Sequence, residues 1–197
     1  MRISVATAKA ISYGCTKFHY AKSVPAVQYG FNIFNDADEW CGVICYGGGA
    51  NNNMPKSFEL CAGEILELVR VALNGKQGHG NTSKAVAMSL HYLHKINPLV
   101  KMIVSYADHR QSHLGIIYQA TNWIFLGVSE TSDTQYFFKG KWTHERTINA
   151  QKNRAELKAT LPKRENSNKF KYVFCYDKKL RKKYLKQSLP YPKKIEQ

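Results

Sequence analysis

Two stretches of this chain combine residue types that do chemistry. The first is Ser105-Tyr106-Ala107-Asp108, followed by His113-x-Gly115-x-x-Tyr118-x-Ala120-x-Asn122-Trp123. It starts where the apolar run Leu99–Val104 ends, and open α/β sheets place their sites just past the ends of buried strands. A carboxylate there, Asp108, suits general-base work, in which an attacking amine must lose a proton. The same residue would equally cap a turn. Ser105 and Asn122 read as positioning groups, because no nucleophile-elbow glycine pattern surrounds Ser105. With His19, His109 and His113, Asp108 also offers a two-His-one-carboxylate set for ferrous iron, His19 and Asp108 first among them. The tight ligand spacing of an HxD or HExxH motif is absent from the sequence.

The second stretch runs from Leu73 to Ser83 (LNGKQGHGNTS). Its three glycines permit close backbone approach, and the helix expected after it offers unpaired amides to an anion. It is not a P-loop, which would end in Gly-Lys-Ser/Thr, and it does not match the dinucleotide fingerprint GxGxxG. An ordinary glycine-rich strand-to-helix turn would look the same.

These stretches need strands and helices to hold them. Phe31–Asn35 and Trp40–Tyr46 read as strands joined by the turn Asp36-Ala37-Asp38. A Gly- and Asn-rich loop, Gly47–Asn53, follows. Ile65–Leu73 (ILELVRVAL) is apolar on both faces, as a central strand should be. Arg70 within it needs a partner if buried: Asp108, a phosphate, Glu67 or Glu64. Asn81-Thr82-Ser83 offers N-cap chemistry to a helix whose Val86, Leu90 and Leu93 share one face and which Pro98 stops. Leu99–Val104 is the next buried strand. A short helix over Ser112–Gln119, a strand from Trp123 to Gly127, and an antiparallel end of Tyr136–Phe138 and His144–Ile148 follow. Lys169–Tyr176 reads as a strand-like piece docked on the body, and Lys178–Lys186 as a basic stretch facing solvent or phosphate. The sum is one α/β fold: a mixed, mostly antiparallel central sheet flanked by helices over residues 1–150, and a basic C-terminal extension over 151–197 packed on or continuous with it.

With 197 residues, 44% of them hydrophobic, the chain can bury one substantial core. No apolar run approaches the ~20 residues that span a bilayer, and the first residues lack a secretory pattern, so the chain reads as cytoplasmic. The five cysteines form no CxxC pair and read as buried free thiols. Cys41 and Cys45 are expected on one face of their strand. The formal net charge of +15 favours a polyanionic partner, nucleic acid first, over a membrane surface. Residues 150–197 hold 12 Lys and 3 Arg against four acids, so +11 lies in the last quarter. A solvated basic surface is the plainer alternative.

The glycine stretch resembles the GNAT superfamily signature Q/R-x-x-G-x-G/A, with Gln77, Gly80 and Thr82 in its defined positions and Thr82 in place of the usual Gly or Ala. That resemblance implies an acetyl-CoA-type donor held by Val71, Leu73, Gln77, Gly78, Gly80, Asn81, Thr82 and Ser83, with Asn122 nearby. The run SYAD…HxGxxYxAxNW resembles the Mom family of divergent GNAT proteins. Arg70, Asn81, Ser83, the His19-Tyr20 pair with Pro25, and Tyr191-Pro192-Lys193 are similar to family features as well. The resemblance implies a phage-type transferase that adds an acetamido (carbamoylmethyl) group to the exocyclic amine of adenine in double-stranded DNA, shielding it from restriction. It implies Asp108, Tyr118, Tyr106, Ser105 and Tyr20 as catalytic residues. Tyr118 then protonates a leaving thiolate or is a core aromatic, and Tyr106 contacts the base or packs on the sheet. Two other functions fit the same residues: an acetyl-CoA-dependent N-acetyltransferase acting on a protein or small amine, and a non-catalytic DNA-binding protein.

Overall fold

The structure is a computed structural model, described here for residues 1–49, 51–108, 113–129, 134–165 and 168–193. The chain runs β1 (Arg2–Val5), α1 (Ala8–Lys17), β2 (Tyr29–Phe34), β3 (Trp40–Gly47), α2 (Met54–Ser57), β4 (Ile65–Leu73), α3 (Asn81–Ile96), β5 (Met102–Asp108), α4 (Ile116–Gln119), β6 (Ile124–Ser129), β7 (Thr134–Phe138), β8 (Lys141–His144), α5 (Glu145–Asn149), α6 (Arg154–Thr160), β9 (Lys163–Glu165), β10 (Lys169–Cys175) and α7 (Lys178–Leu185). Among the described residues these strands form a seven-stranded sheet, ordered β1-β2-β3-β4-β5-β10-β6, and a three-stranded sheet, β8-β7-β9.

Within the large sheet only β4 and β5 run parallel. Parallel neighbours need a crossover, and α3 supplies it. Its Val86, Leu90 and Leu93 are buried, as their spacing predicts, and the Tyr46 and Ser89 hydroxyls lock it to β3 at 2.6 Å. Helices α3 and α4 cover one face over Phe31, Ile44, Leu66, Ile103, Trp123 and Tyr172. On the opposite face α1 packs over Val43, Cys45 and Ala72. Beside it α2 and α7 pack over Met102, Val104 and Val173.

Several expectations are corrected. His144–Ile148 is not a strand: β8 ends at His144, whose imidazole accepts from the Arg146 amide and caps α5. Cys41 and Cys45 do not share a face. Cys41 is the extra residue of a β-bulge, since Phe34 pairs with Trp40 while Ile33 pairs with Gly42. The bulge sends Cys41 into the α3-side core and Cys45 under α1. Residues 169–175 are not docked on the body but form an inner strand between β5 and β6. The basic stretch is helical, and Tyr184 within it is buried, so it does not wholly face solvent. The expected helix from Ser112 is ordered as α4 from Ile116; Ser112 itself lies outside the described residues.

The bulge makes one glycine indispensable. Gly42 has φ +129°, and a Cβ there would run into the Ala72 carbonyl of β4. Gly42→Ala is therefore expected to cost roughly 3 kcal/mol in denaturant unfolding, from backbone strain and overpacking combined.

Candidate active site

β4 and β5 pair only across Ile65–Glu67 and Met102–Val104. Beyond that point β4 stays with β3 as far as Leu73, and β5 stays with β10 as far as Asp108. Two strands held by different neighbours must part, and the sheet opens into a fork. Ser105 sits at its apex. Its hydroxyl donates to the Leu68 carbonyl at 3.0 Å. The same hydroxyl is directed at the Tyr118 phenolic oxygen at 2.9 Å, so its proton is shared between the two acceptors. Burial pushes the Tyr118 phenol up to about 12, against the opposing pull of the Ser105 bond. Tyr118 therefore holds its proton at neutral pH.

β5 alternates, so Ser105 faces the α3 side while Tyr106 and Asp108 face the other. A second bulge, with Val69 as the extra residue of β4, turns Arg70 toward the α1 side. There the Arg70 guanidinium donates to the Val69 carbonyl (2.7 Å) and Ser23 Oγ (3.3 Å). Its Nε is buried without a hydrogen-bond partner among the described residues. Tyr20 reaches in from beyond α1 and donates to Asp108 Oδ2 at 3.5 Å, the outer limit of a hydrogen bond. Its ring lies 4.3 Å from His19 and 5.7 Å from His113. Burial, then the charge of Arg70, then His113 and Lys22, hold the His19 imidazole down at about 4, so it is neutral at neutral pH. Burial and the Asp108 charge push the Tyr20 phenol up.

The structure thus brings His19, Tyr20, Arg70, Asp108 and His113 into one cluster, with Ser105 and Tyr118 behind it at the apex. Tyr106 points into a separate cavity of about 290 Å³ with Phe58, Lys171 and Tyr184. Burial and Glu67 push its phenol up to about 12. Glu67, the last β4 residue paired to β5, is the side chain that sequence reasoning treated only as a counter-ion. A carboxylate inside an apolar strand was the available signal. Glu64 is not the partner of Arg70, because it pairs with Lys101 at 2.5 Å.

The Leu73–Ser83 stretch joins β4 to α3 at the open end of the fork. Gly75, Gly78 and Gly80 all have left-handed φ, and a Cβ on Gly75 or Gly80 would meet nothing within 4 Å. Their left-handed backbone favours glycine, and the space beside Gly75 and Gly80 is open. The expected N-cap chemistry is absent: Gly80 is the N-cap, with no side-chain hydrogen bond. Instead the polar side chains brace the loop internally. Asn81 Nδ2 donates to the Gln77 carbonyl (2.6 Å), Gln77 Nε2 to Thr82 Oγ1 (3.0 Å), and Ser83 Oγ to the Gly80 carbonyl (2.9 Å). The first-turn amides of α3 keep no side-chain acceptor, and Gln77 Oε1 is buried without a partner among the described residues. Val71 and Leu73 pair with Ile44 and Gly42 of β3. On the β5 side, among the described residues, no strand pairs with β4 past Glu67. An extended, amide-bearing chain ending in phosphates fits this set: a free strand edge, open glycines and uncapped amides. Asn122 lies elsewhere, in the α4–β6 turn, where its carbonyl accepts from Arg181 beside a cavity of about 340 Å³.

For iron the fit is poor. Among the described residues no three His, Cys, Asp or Glu side chains converge as a metal set, so His19 and Asp108 lack a third ligand there. His109, named with them, lies outside the described residues.

The forked sheet with its crossover helix is the GNAT acyltransferase fold. A ribosomal-protein alanine acetyltransferase from Vibrio fischeri superposes with a TM-score of 0.52 at 9% identity, over 89% of this chain and 93% of that one. A GNAT-family acetyltransferase from Bacillus anthracis gives 0.50 at 10% identity, over 89% and 95%. At these identities the likeness is one of fold. A sequence model of the Mom protein family matches residues 1–193, and the chain belongs to that family. It is 28% identical over 187 residues to the methylcarbamoylase mom of Escherichia phage Mu, covering 89% of this chain and 76% of the phage protein.

Proposed function

We propose that this chain modifies the exocyclic amine of adenine in double-stranded DNA, adding an acetamido group that blocks restriction in the phage-infected cell. The observation that carries the reading is the fork. It opens an anion-ready loop and a free strand edge on one side, and the Asp108–Tyr20 cluster on the other. Membership of the Mom family, and the methylcarbamoylase name of the phage Mu relative, support the group transferred, and the net charge of +15 supports a polyanionic substrate. The added bulk would stand in the major groove, where restriction enzymes read adenine.

In this reading an acyl-CoA-type donor is held by the edge at Val71 and Leu73 and by the amides of His79, Gly80, Thr82 and Ser83, since those of Gly78 and Asn81 already donate to loop carbonyls. Bound there, such a donor would supply an activated acyl carbon, which in an acetamido product is the amide carbonyl and not the carbon joined to adenine. Asp108 takes the proton that the amine sheds, and Tyr20 orients that carboxylate. Tyr118 keeps its proton at the apex, its oxygen accepting from Ser105. An acetamido product links the amine to a methylene carbon and carries a second nitrogen, so plain acyl transfer does not balance. The balance requires a source of the amide nitrogen and, at the methylene carbon, either a leaving group that the amine displaces or an oxidant that accepts two electrons.

Nucleoside analysis of DNA from cells expressing the chain tests this. A mass-shifted deoxyadenosine is expected. Unmodified DNA together with acetylated amines in vitro would replace the reading with an N-acetyltransferase.

A further inference from the structure

The three-stranded sheet β8-β7-β9, with α5 and α6, is inserted between β6 and β10. It is rooted beside Asp108: Ser129 at the end of β6 pairs with Lys169, which pairs in turn with Asp108. The Lys169 amide also donates to Ser129 Oγ at 3.1 Å. This insertion has its own small core of Tyr136, Thr143 and Ile148, all buried. Strand alternation turns Phe137 and its cross-strand partner Trp142 the other way, where they are 41% and 38% exposed. Their rings meet edge to face with centroids 5.5 Å apart. The Arg164 guanidinium lies 4.3 Å over the Trp142 ring and is held flat by donating from Nε to Gln135 Oε1 at 2.9 Å.

The buried residues of the insertion lie on the opposite face, so this arrangement is no part of its core. Around it, residues 134–165 carry five Lys and three Arg against three Glu, a net +5. Two exposed aromatic rings and a planar cation, in a positive field, form a surface that stacks nucleobases whatever their sequence. A second copy of a chain with net charge +15 is a poor occupant of such a surface. An exocyclic amine inside a stacked pair is hard to attack, so the target adenine must leave the duplex and unpaired bases are left behind.

We propose that Phe137, Trp142 and Arg164 form a stacking platform for the unpaired bases of the opened DNA beside Asp108. This rests on the DNA-modifying reading above. The test titrates the full chain and its variants against a labelled single-stranded oligonucleotide at several salt concentrations. Trp142→Ala is expected to weaken binding about tenfold, with an unchanged salt slope, since stacking neutralises no phosphate. Trp142→Tyr should restore most of the loss. Arg164→Lys keeps the charge, loses the plane and should weaken binding by about threefold. Wild-type affinity in folded Trp142→Ala and Arg164→Lys would overturn the platform while leaving DNA modification standing. A dimer of the wild type that Trp142→Ala abolishes, with DNA affinity intact, would overturn it in favour of a second copy. Failure of the wild type to bind any DNA would sink the DNA-modifying reading itself.

Discussion

Asp108→Asn is expected to fold normally and to lower adenine modification by ~10²–10⁴-fold, the range lost when a positioned proton acceptor is removed. The substitution keeps the size of the side chain. The Asn carbonyl can still accept from the Tyr20 hydroxyl that approaches Asp108 Oδ2. What disappears is the capacity to take a proton from the attacking amine. Tyr118→Phe is the informative companion, because it acts at the apex and on the other face. It removes the phenolic oxygen that accepts from Ser105, one hydrogen bond worth about 1 kcal/mol in stability, while Ser105 keeps its bond to the Leu68 carbonyl. If Tyr118 also supplies a proton during the reaction, its rate loss will exceed what the altered melting temperature explains. Single-turnover modification of a defined duplex, read by mass spectrometry beside thermal unfolding, separates the two effects. Wild-type rates in both variants would reduce the cluster to packing.

The strand–helix–strand unit at the heart of the fold was legible because Ile65–Leu73 is apolar on both faces and α3 keeps a clean 3.6-residue stripe. β1 and α1 were not legible. Arg2–Val5 is four residues long and only half buried, and α1 buries only Gly14 and Cys15. The interior place of β10 was also hidden. Local periodicity reports which residues alternate, whereas strand order depends on pairing across the chain. Bulges concealed more of the site. An extra residue at Cys41 separates two cysteines that spacing puts together, and one at Val69 aims Arg70 at the cluster holding His19 and Tyr20. The SYAD run was recognisable as a polar strand end, but its split across two faces follows only once the fork is seen. Asn122 shows the opposite failure. Nearness in sequence to Tyr118 suggested a shared site, and a left-handed turn at φ +60° carries it to the Arg181 side.

The second large effect is expected at the glycine loop. CoA or acetyl-CoA should raise the melting temperature of the wild-type chain, because a ligand that binds only the folded state stabilises it by about 2.7 kcal/mol at a hundred times its dissociation constant. For a chain of this size that is a shift of roughly 5–10 °C. The double substitution Gly80→Asp and Ser83→Asp should abolish the shift. Both carboxylates would stand at the first turn of α3, whose amides have no side-chain acceptor, and would repel a pyrophosphate brought there. The fold should survive. Space beside Gly80 is open, Asp is among the residues that tolerate its left-handed φ of +76°, and acidic side chains are favourable at a helix N-terminus. Ser83→Ala serves as the control, since it deletes the Ser83 bond to the Gly80 carbonyl without adding charge and should keep most of the shift. A full shift in the folded double variant would mean that the donor binds away from this loop. The Asp108 cluster would then have to be supplied from the α7 side, where Asn122 and Arg181 line the larger cavity.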